Sequence, residues 1–440
     1  MKSGLDAKHL RPVMTTSKQR RGKLTKALII GQGAREHAFG WKLAQEGIDL
    51  YFGSGNPGTR SLGYNVSSIA TQSDNVDRDV IRFSREEQID LVLVTDEDLL
   101  GKGLVNKLVR AGVLTFGATI KASKIEWSKV WANRFLDLYG IPHARGVEIT
   151  SPNFGLVLPE NFRVVKADGL ARGKGVRIAP TVDQVQEAIN KLQIAFPRAA
   201  ERILIQEYLE GREVSAQAFT DGSRLLMLPF SVDHKRFGED DSGDNSGGLA
   251  SYSDVPWLMN ETHSEIEKTI LEKLIYFLRL NGIDFRGVIY GGLKITKDGP
   301  KLIEVNARPG DPETQAILPR LQSKLLPVLQ QVAAGKLEVT SLDWDSRVAV
   351  CVVLCSEGYP DEPKVGRVIH GLNDLPKDIL VFHAGTALND KRELITSGGR
   401  VLSIVALGET LEAASSKVYE AIERIKFEGM HFLPKSFLKL

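Results

Sequence analysis

The segment Lys26-Ala27-Leu28-Ile29-Ile30-Gly31 constrains the fold more than any other stretch. Its apolar residues run on without the alternation of a half-wet strand, so it reads as a strand covered on both faces. It ends in a glycine turn, and Ala34–Glu46 then reads as a helix. Asp90–Thr95 (Asp-Leu-Val-Leu-Val-Thr) is a second buried strand, with helical segments near Val76–Glu87 and Gly103–Ala111. Strand and helix alternating in this way predict an α/β fold whose first domain is a doubly wound parallel sheet.

The chain has 440 residues, too many for one core, and suggests about three domains. A formal charge of +2 implies no nucleic-acid partner. No apolar run approaches the ~20 residues of a membrane span. Residues 1–24 carry seven basic residues against Asp6 and hold no apolar core of a secretory signal. They are expected to be a disordered basic tail, a short organellar presequence being the other reading. The expected divisions are 25–125, 126–335 and 336–440. Cys351 and Cys355 lie in an apolar strand, and their even spacing predicts two buried thiols on one sheet face. A reducing, cytoplasmic setting follows.

The chemistry concentrates in Glu304-Val305-Asn306-Ala307-Arg308-Pro309-Gly310-Asp311-Pro312-Glu313. Glu304 and Asn306 are two apart on a strand end and point to one face. A carboxylate and an amide oxygen side by side suit a hard divalent cation, Mg²⁺ or Mn²⁺. Arg308 falls on the same alternation, ready to meet an anion. Three further segments fit phosphate or anionic ligands. Gly31-Gln32-Gly33-Ala34-Arg35 lies between a strand and a helix, where backbone N–H groups bind phosphate. Glu36 stands where a dinucleotide fingerprint needs its third glycine, which disfavours NAD. Lys166 to Lys174 flank a glycine-rich loop that is not a Walker A sequence, since Gly175 replaces the Ser or Thr. Asp233-His234-Lys235-Arg236 feeds a polar glycine-rich loop ending at Gly248. The plain alternatives are a tight βα turn for the first, a flexible surface hairpin for the second and a solvated loop for the third. No nucleophile–base–acid triad is apparent, and His234 alone is more often structural or binding.

Taken together these segments resemble the glycinamide ribonucleotide synthetases, ATP-grasp enzymes of purine biosynthesis. The resemblance covers about residues 25–435. It rests on GQGAREHA at 31–38, GNPGT at 55–59, VVKADGLARGKGV at 164–176, DHKR at 233–236 and NSGG at 245–248. It continues through NARPGDPETQ at 306–315, FHAGTAL at 382–388, TSGGRVL at 396–402 and FEGMH at 427–431.

The resemblance implies an ATP-grasp fold with a mobile nucleotide lid at about 145–212 and a C-terminal α+β domain. It implies a monomeric ligase that joins glycine to 5-phosphoribosylamine through a glycyl phosphate, with no macromolecular partner. ATP would be held by Lys129, Lys166, Gly173, Lys174, Gly175, Gln206, Glu207, Leu209 and Glu213. The metal would sit on Glu304 and Asn306. Arg308, Lys174 and Asp311 would serve the reaction. Gly31, Gly33, Arg35, Asn56, Gly58, Thr59, Asp233, Lys235, Arg236, Asn245, Gly247 and Gly248 would receive the two substrates. The chain departs from the family pattern at Thr95-Asp96 (usually Gly-Pro), Ala34 (Gly), Gln206 (Glu), Leu249-Ala250 (Met-Gly) and Pro309 (Phe). Another ATP-grasp carboxylate–amine ligase, or a non-catalytic nucleotide-binding relative, are the competing readings.

Overall fold

The structure is a computed structural model that describes residues 24–150, 158–169, 175–237 and 245–438. The basic tail, the 170–174 stretch and the Ser151-Pro152 stretch lie outside these residues.

Five parallel strands open the chain: β1 (Lys26–Gly31), β2 (Asp49–Ser54), β3 (Tyr64–Val66), β4 (Leu91–Val94) and β5 (Thr115–Phe116), in the order β3-β2-β1-β4-β5. The unbroken apolar run of β1 is explained by its two faces. Ala27 and Ile29 pack with Phe39 and Leu43 of helix α1 (Ala34–Ala44), while Leu28 and Ile30 pack with Val80, Leu104 and Leu108 on the other side. The expected doubly wound sheet is therefore present.

Next comes a four-stranded antiparallel sheet of β6 (Gly146–Ile149), β7 (Phe162–Ala167), β8 (Val176–Ile178) and β9 (Ile203–Glu207), ordered β6-β9-β7-β8. Helix Val185–Ala195 covers it through Ile189 and Leu192. The chain continues through β10 (Arg212–Thr220), β11 (Leu225–Met227), β12 (Val232–Arg236), β13 (Asn245–Ser253), β14 (Gly287–Thr296) and β15 (Gly299–Asn306). Four of these form a second antiparallel sheet in the order β11-β10-β14-β15. A helix runs from Asn260 to Leu280, with a π-helical stretch at Ile266–Leu271.

The last strands are β16 (Val348–Cys355), β17 (Leu380–His383), β18 (Thr386–Leu388), β19 (Leu394–Thr396) and β20 (Arg400–Gly408). A five-stranded sheet ordered β12-β13-β16-β20-β17 runs across the expected boundary at 335, so the DHKR and NSGG segments share one sheet with the C-terminal strands.

Both cysteines are buried, and burial pushes the Cys351 thiol well up and the Cys355 thiol to about 12. They do not share one packing face, however. Cys351 joins the cluster around Phe39 and Phe382, Cys355 the cluster around Leu354 and Phe427. The pairing register slips between Leu354 and Cys355, and a bulge of this kind breaks the two-residue period on which the expectation rested.

Helix α1 ties the first sheet to the chain beyond β15. Lys42 Nζ donates to the Leu321 carbonyl at 2.5 Å, and the Glu46 carboxylate accepts from Leu325 N at 2.6 Å. These buried links set the glycine turn at the start of α1 against the turn that follows Asn306.

Candidate functional site

One cleft of about 970 Å³ lies where the sheets meet. It gathers Gly31, Gly33 and Arg35 from the first sheet and Lys129 from the helix Lys129–Leu138. It also gathers Lys166 and Gly175, the Gln206–Leu209 strand end, and Glu213. Asp233, Lys235 and Arg236 come from β12, Gly247 from β13, and Glu304, Asn306, Arg308 and Asp311 from β15 and its following turn.

At the strand end the expected geometry holds. Asn306 Nδ2 donates to Glu304 Oε1 at 3.3 Å, and Arg308 Nη2 reaches Asn306 Oδ1 at 3.5 Å. The three side chains therefore share one face. Lys235 Nζ donates to Glu304 Oε1 at 2.7 Å. Burial alone would raise the Glu304 pKa, but Lys235, Lys166 and Arg308 bring it down to about 2. The carboxylate is thus ionised at any working pH. Lys235 is shifted the other way, well up: burial opposes its charge and Glu304 more than offsets that.

Two lysines join the same cleft. Lys166 Nζ donates to the Ile303 carbonyl at 2.5 Å, and Lys129 Nζ to the Gly169 carbonyl at 2.9 Å. Burial lowers Lys166 to about 8 against the pull of Glu304, and burial lowers Lys129 too. Two cations kept short of full compensation are ready for an anionic ligand.

Gln206 has a fixed orientation. Its Nε2 donates to Asn133 Oδ1 at 3.0 Å and to the Ala144 carbonyl at 2.9 Å, and both are acceptors, so the amide cannot be reversed. Its Oε1 is buried without a partner among the described residues. Glu207, which also lines the cleft, accepts from Arg145 N at 2.9 Å. Glu213 pairs with Lys294 at 3.1 Å.

Arg308 is held between two carboxylates that the sequence did not single out. Its Nε lies 3.1 Å from Glu126 and 3.5 Å from Glu97. Burial works against its charge, but Glu126 and Glu97 raise its pKa further. Glu126 Oε2 also accepts from Ala307 N at 2.9 Å. Neither acid sits in a glycine-rich motif, which is why spacing did not reveal them. The Asp311 carboxylate accepts from Gln315 Nε2 at 2.6 Å and from Arg400 Nη2 at 2.9 Å. Arg400 and Tyr359 complete the wall from the C-terminal part.

Some expected substrate residues stand behind the cleft wall. Asn56, Gly58, Thr59 and Gly248 do not line it. Asn56 Nδ2 donates to the carbonyls of Gln32 and His383 at 2.9 and 2.8 Å, and its Oδ1 accepts from Gly58 N and Thr59 N. This turn braces the first glycine turn from below. Gly248 has φ +100° and sits against Pro312, where a Cβ would come within 2.4 Å. Gly173 and Lys174 lie outside the described residues, as does the Asn245 side chain.

Among the described residues, no three His, Cys, Asp or Glu side chains gather to hold a metal. No helix among them is long and apolar enough to cross a membrane. A pair of hard oxygens, Glu304 and Asn306, still fits a cation that takes its remaining ligands from phosphate and water.

The comparisons with known proteins cover the whole of this arrangement. Models of the phosphoribosylglycinamide synthetase N domain, ATP-grasp (A) domain and C domain match residues 25–126, 127–314 and 349–432. The chain is 38% identical over 414 residues to a phosphoribosylamine–glycine ligase of Caldanaerobacter subterraneus, covering 92% of this chain and 98% of that one. It is 40% identical to the trifunctional purine biosynthetic protein adenosine-3 of Gallus gallus, of which it spans 41%. The crystal structure of a Thermotoga maritima phosphoribosylamine–glycine ligase superposes with a TM-score of 0.77 at 31% identity, over 93% of this chain and 99% of that one. The biotin carboxylase domain of a Hydrogenobacter thermophilus 2-oxoglutarate carboxylase, solved with MgADP, shares the fold at a TM-score of 0.68 and 14% identity. With the cleft assembled from the segments that these models match, the chain belongs to the phosphoribosylglycinamide synthetase family.

Proposed function

We infer that this protein is the ADP-forming ligase that joins glycine to 5-phosphoribosylamine in purine biosynthesis, giving glycinamide ribonucleotide and phosphate. The observation that supports the reading most is the gathering of Glu304, Asn306 and Arg308 with Lys129 and Lys166 in one cleft.

A carboxylate does not acylate an amine at neutral pH, because oxide is a poor leaving group. A glycine carboxylate oxygen therefore attacks the γ-phosphorus of ATP, the bond from that phosphorus to the β,γ-bridging oxygen breaks, and ADP leaves. The 1-amino group of phosphoribosylamine then attacks the glycyl carbon, and phosphate leaves with that oxygen. Lys129, Lys166 and Lys174 offset charge on the transferring group, whose transition state is stabilised mainly by position and electrostatics. Mg²⁺, or Mn²⁺ in its place, would be held by Glu304 and Asn306 and would neutralise phosphate oxygens when bound. Arg308, fixed by Glu97 and Glu126, orients the glycine carboxylate. Asp311 positions the turn beside it through Arg400. Gln206 Oε1, with Glu207 and Leu209 beside it, meets the adenine edge, and Glu213 the ribose.

Gly31, Gly33 and Arg35 sit at an α1 N-terminus that favours a phosphate, and receive the phosphoribosyl group. Asp233, Lys235, Arg236, Asn245 and Gly247 close the substrate side. The enzyme acts as a cytoplasmic monomer on these small molecules. The functional divisions follow 25–125, 126–335 and 336–440, with 145–212 as the lid, while β12 and β13 of the middle part are shared with the C-terminal sheet.

Glycine labelled with ¹⁸O in its carboxylate tests the chemistry. One label per turnover is expected in the released phosphate. Unlabelled phosphate would exclude a glycyl phosphate.

A further inference from the structure

The parallel sheet reverses its order between β1 and β4, and the crevice beyond the carboxyl ends of such a pair is where ligands bind. Ile30 pairs with Val94, so Gly31 and Thr95 are the first residues past the ladder on either side of that crevice. Thr95 is fully buried, yet it carries a hydroxyl. That hydroxyl donates to Glu36 Oε1 at 2.5 Å. Glu36 is itself buried, and the same oxygen accepts from Arg35 Nε at 2.8 Å. The other oxygen accepts from Gly33 N at 3.0 Å. A Cβ on Gly31 or Gly33 would lie 2.6 Å from the Glu36 side chain, so the Glu36 side chain packs directly against the turn. Arg35 continues the chain of contacts, its Nη1 donating to the Pro309 carbonyl at 3.2 Å. Pro309 follows Arg308 directly.

Thr95, Glu36, Arg35 and Pro309 thus connect the turn assigned to the amine substrate with the turn assigned to the acid. We propose that Thr95 is a positioning residue for the ligation. It holds the Glu36 carboxylate in place, and through it the Gly31–Gly33 turn and Arg35, so that the phosphoribosylamine nitrogen lies in line with the glycyl carbon. The inference rests on the ligase reading above. A hydroxyl donating to a carboxylate makes one of the stronger hydrogen bonds available to a side chain. Removing it leaves Glu36 Oε1 with Arg35 Nε alone of its two donors, so the carboxylate loses the contact that fixes it from the β4 side. Amine attack depends on placement to a fraction of an ångström, so the cost falls on the second half-reaction.

Thr95→Val and Thr95→Ser in the full chain test this. Valine is expected to raise KM for phosphoribosylamine about fivefold or more and to lower kcat, while KM for ATP and for glycine stay within about twofold. Serine, which keeps the hydroxyl, is expected to restore the amine KM to within about twofold of wild type. Wild-type kinetics in Thr95→Val overturn the proposal. So does a rise of all three KM values together with a lowered melting temperature that serine does not repair, because that is the behaviour of a purely structural residue. Amide hydrogen exchange across residues 31–36 gives a readout independent of turnover. It should quicken in the valine variant and not in the serine variant, and equal exchange in both would also overturn the proposal. Turnover by the wild type tests the ligase reading separately, so the two failures are told apart.

Discussion

Glu304 balances two roles. Lys235 and Lys166 neutralise it in the free protein, and the same cations can turn to phosphate when a metal takes the carboxylate. Glu304→Gln keeps the shape and removes the charge. The expected outcome is a folded protein whose Mg²⁺ requirement rises by about tenfold or more, with a lower kcat at saturating metal. A Mg²⁺ titration of initial rates decides it, and an unchanged half-saturation point would remove Glu304 from the metal site. Arg308 makes a second case. Lysine has one point charge and cannot face Glu97, Glu126 and a substrate carboxylate in fixed directions at once. Arg308→Lys should therefore lower kcat/KM for glycine by roughly a hundredfold, ~2.7 kcal/mol of transition-state stabilisation, with KM for ATP little changed. Equal losses for ATP and glycine would place Arg308 in the general scaffold instead. The shared face of Glu304 and Asn306 was legible in the sequence because a two-residue period on a strand fixes direction. Glu126 and Glu97 were not, since their role depends on which helix lies over β15, and no local spacing records that.

At the scale of elements, β17 is clamped to the first sheet by a histidine pair. The His383 N–H donates to His37 Nδ1 at 2.9 Å, and the His383 carbonyl accepts from Asn56. An accepting Nδ1 requires His37 to be neutral, with its proton on Nε2. Burial, with His383 nearby, lowers the His37 pKa to about 3, and burial lowers His383 to about 4. The unfolded chain binds these protons near 6.5, so it gains protons that the folded state refuses as pH falls below that value. Stability is then lost from about pH 6.5 down to pH 4 and 3, by up to ~1.4 kcal/mol per pH unit for each histidine. Glutamine at 37 can still accept from the His383 N–H but takes no proton. Urea unfolding of His37→Gln at pH 7 and pH 5 should show a smaller loss of stability than wild type. An equal loss in both would mean that His37 does not carry the effect. Of the elements read in the first domain, β1 was given to the residue and the other four to within two residues at either end. The reversed face of Cys355 was not readable, because a bulge leaves no mark in a run of Val, Leu and Cys.

The whole molecule makes its cleft from pieces far apart in sequence. Gly31 at one end and Arg400 at the other line the same space, and the sheet containing β12 and β13 is completed by C-terminal strands. Buried links such as Lys42 to Leu321 and Arg35 to Pro309 keep these pieces in register. The glycine-rich motifs marked segments that line the cleft, at Gly31, Gly33, Gly175 and Gly247. They did not show that the Asn56–Thr59 turn braces the site from behind, since a turn that supports a phosphate loop and one that touches phosphate use the same residues. That the C-terminal strands complete the cleft rests on packing alone. The account's central claim is that this cleft couples ATP cleavage to the joining of one acid and one amine. ADP release measured with Mg²⁺ and ATP, with glycine and phosphoribosylamine supplied separately and together, tests it most directly. Sustained ADP release only when both are present, matched by an equal yield of glycinamide ribonucleotide, is the predicted result. Sustained release with either substrate alone, or none with both, would contradict it.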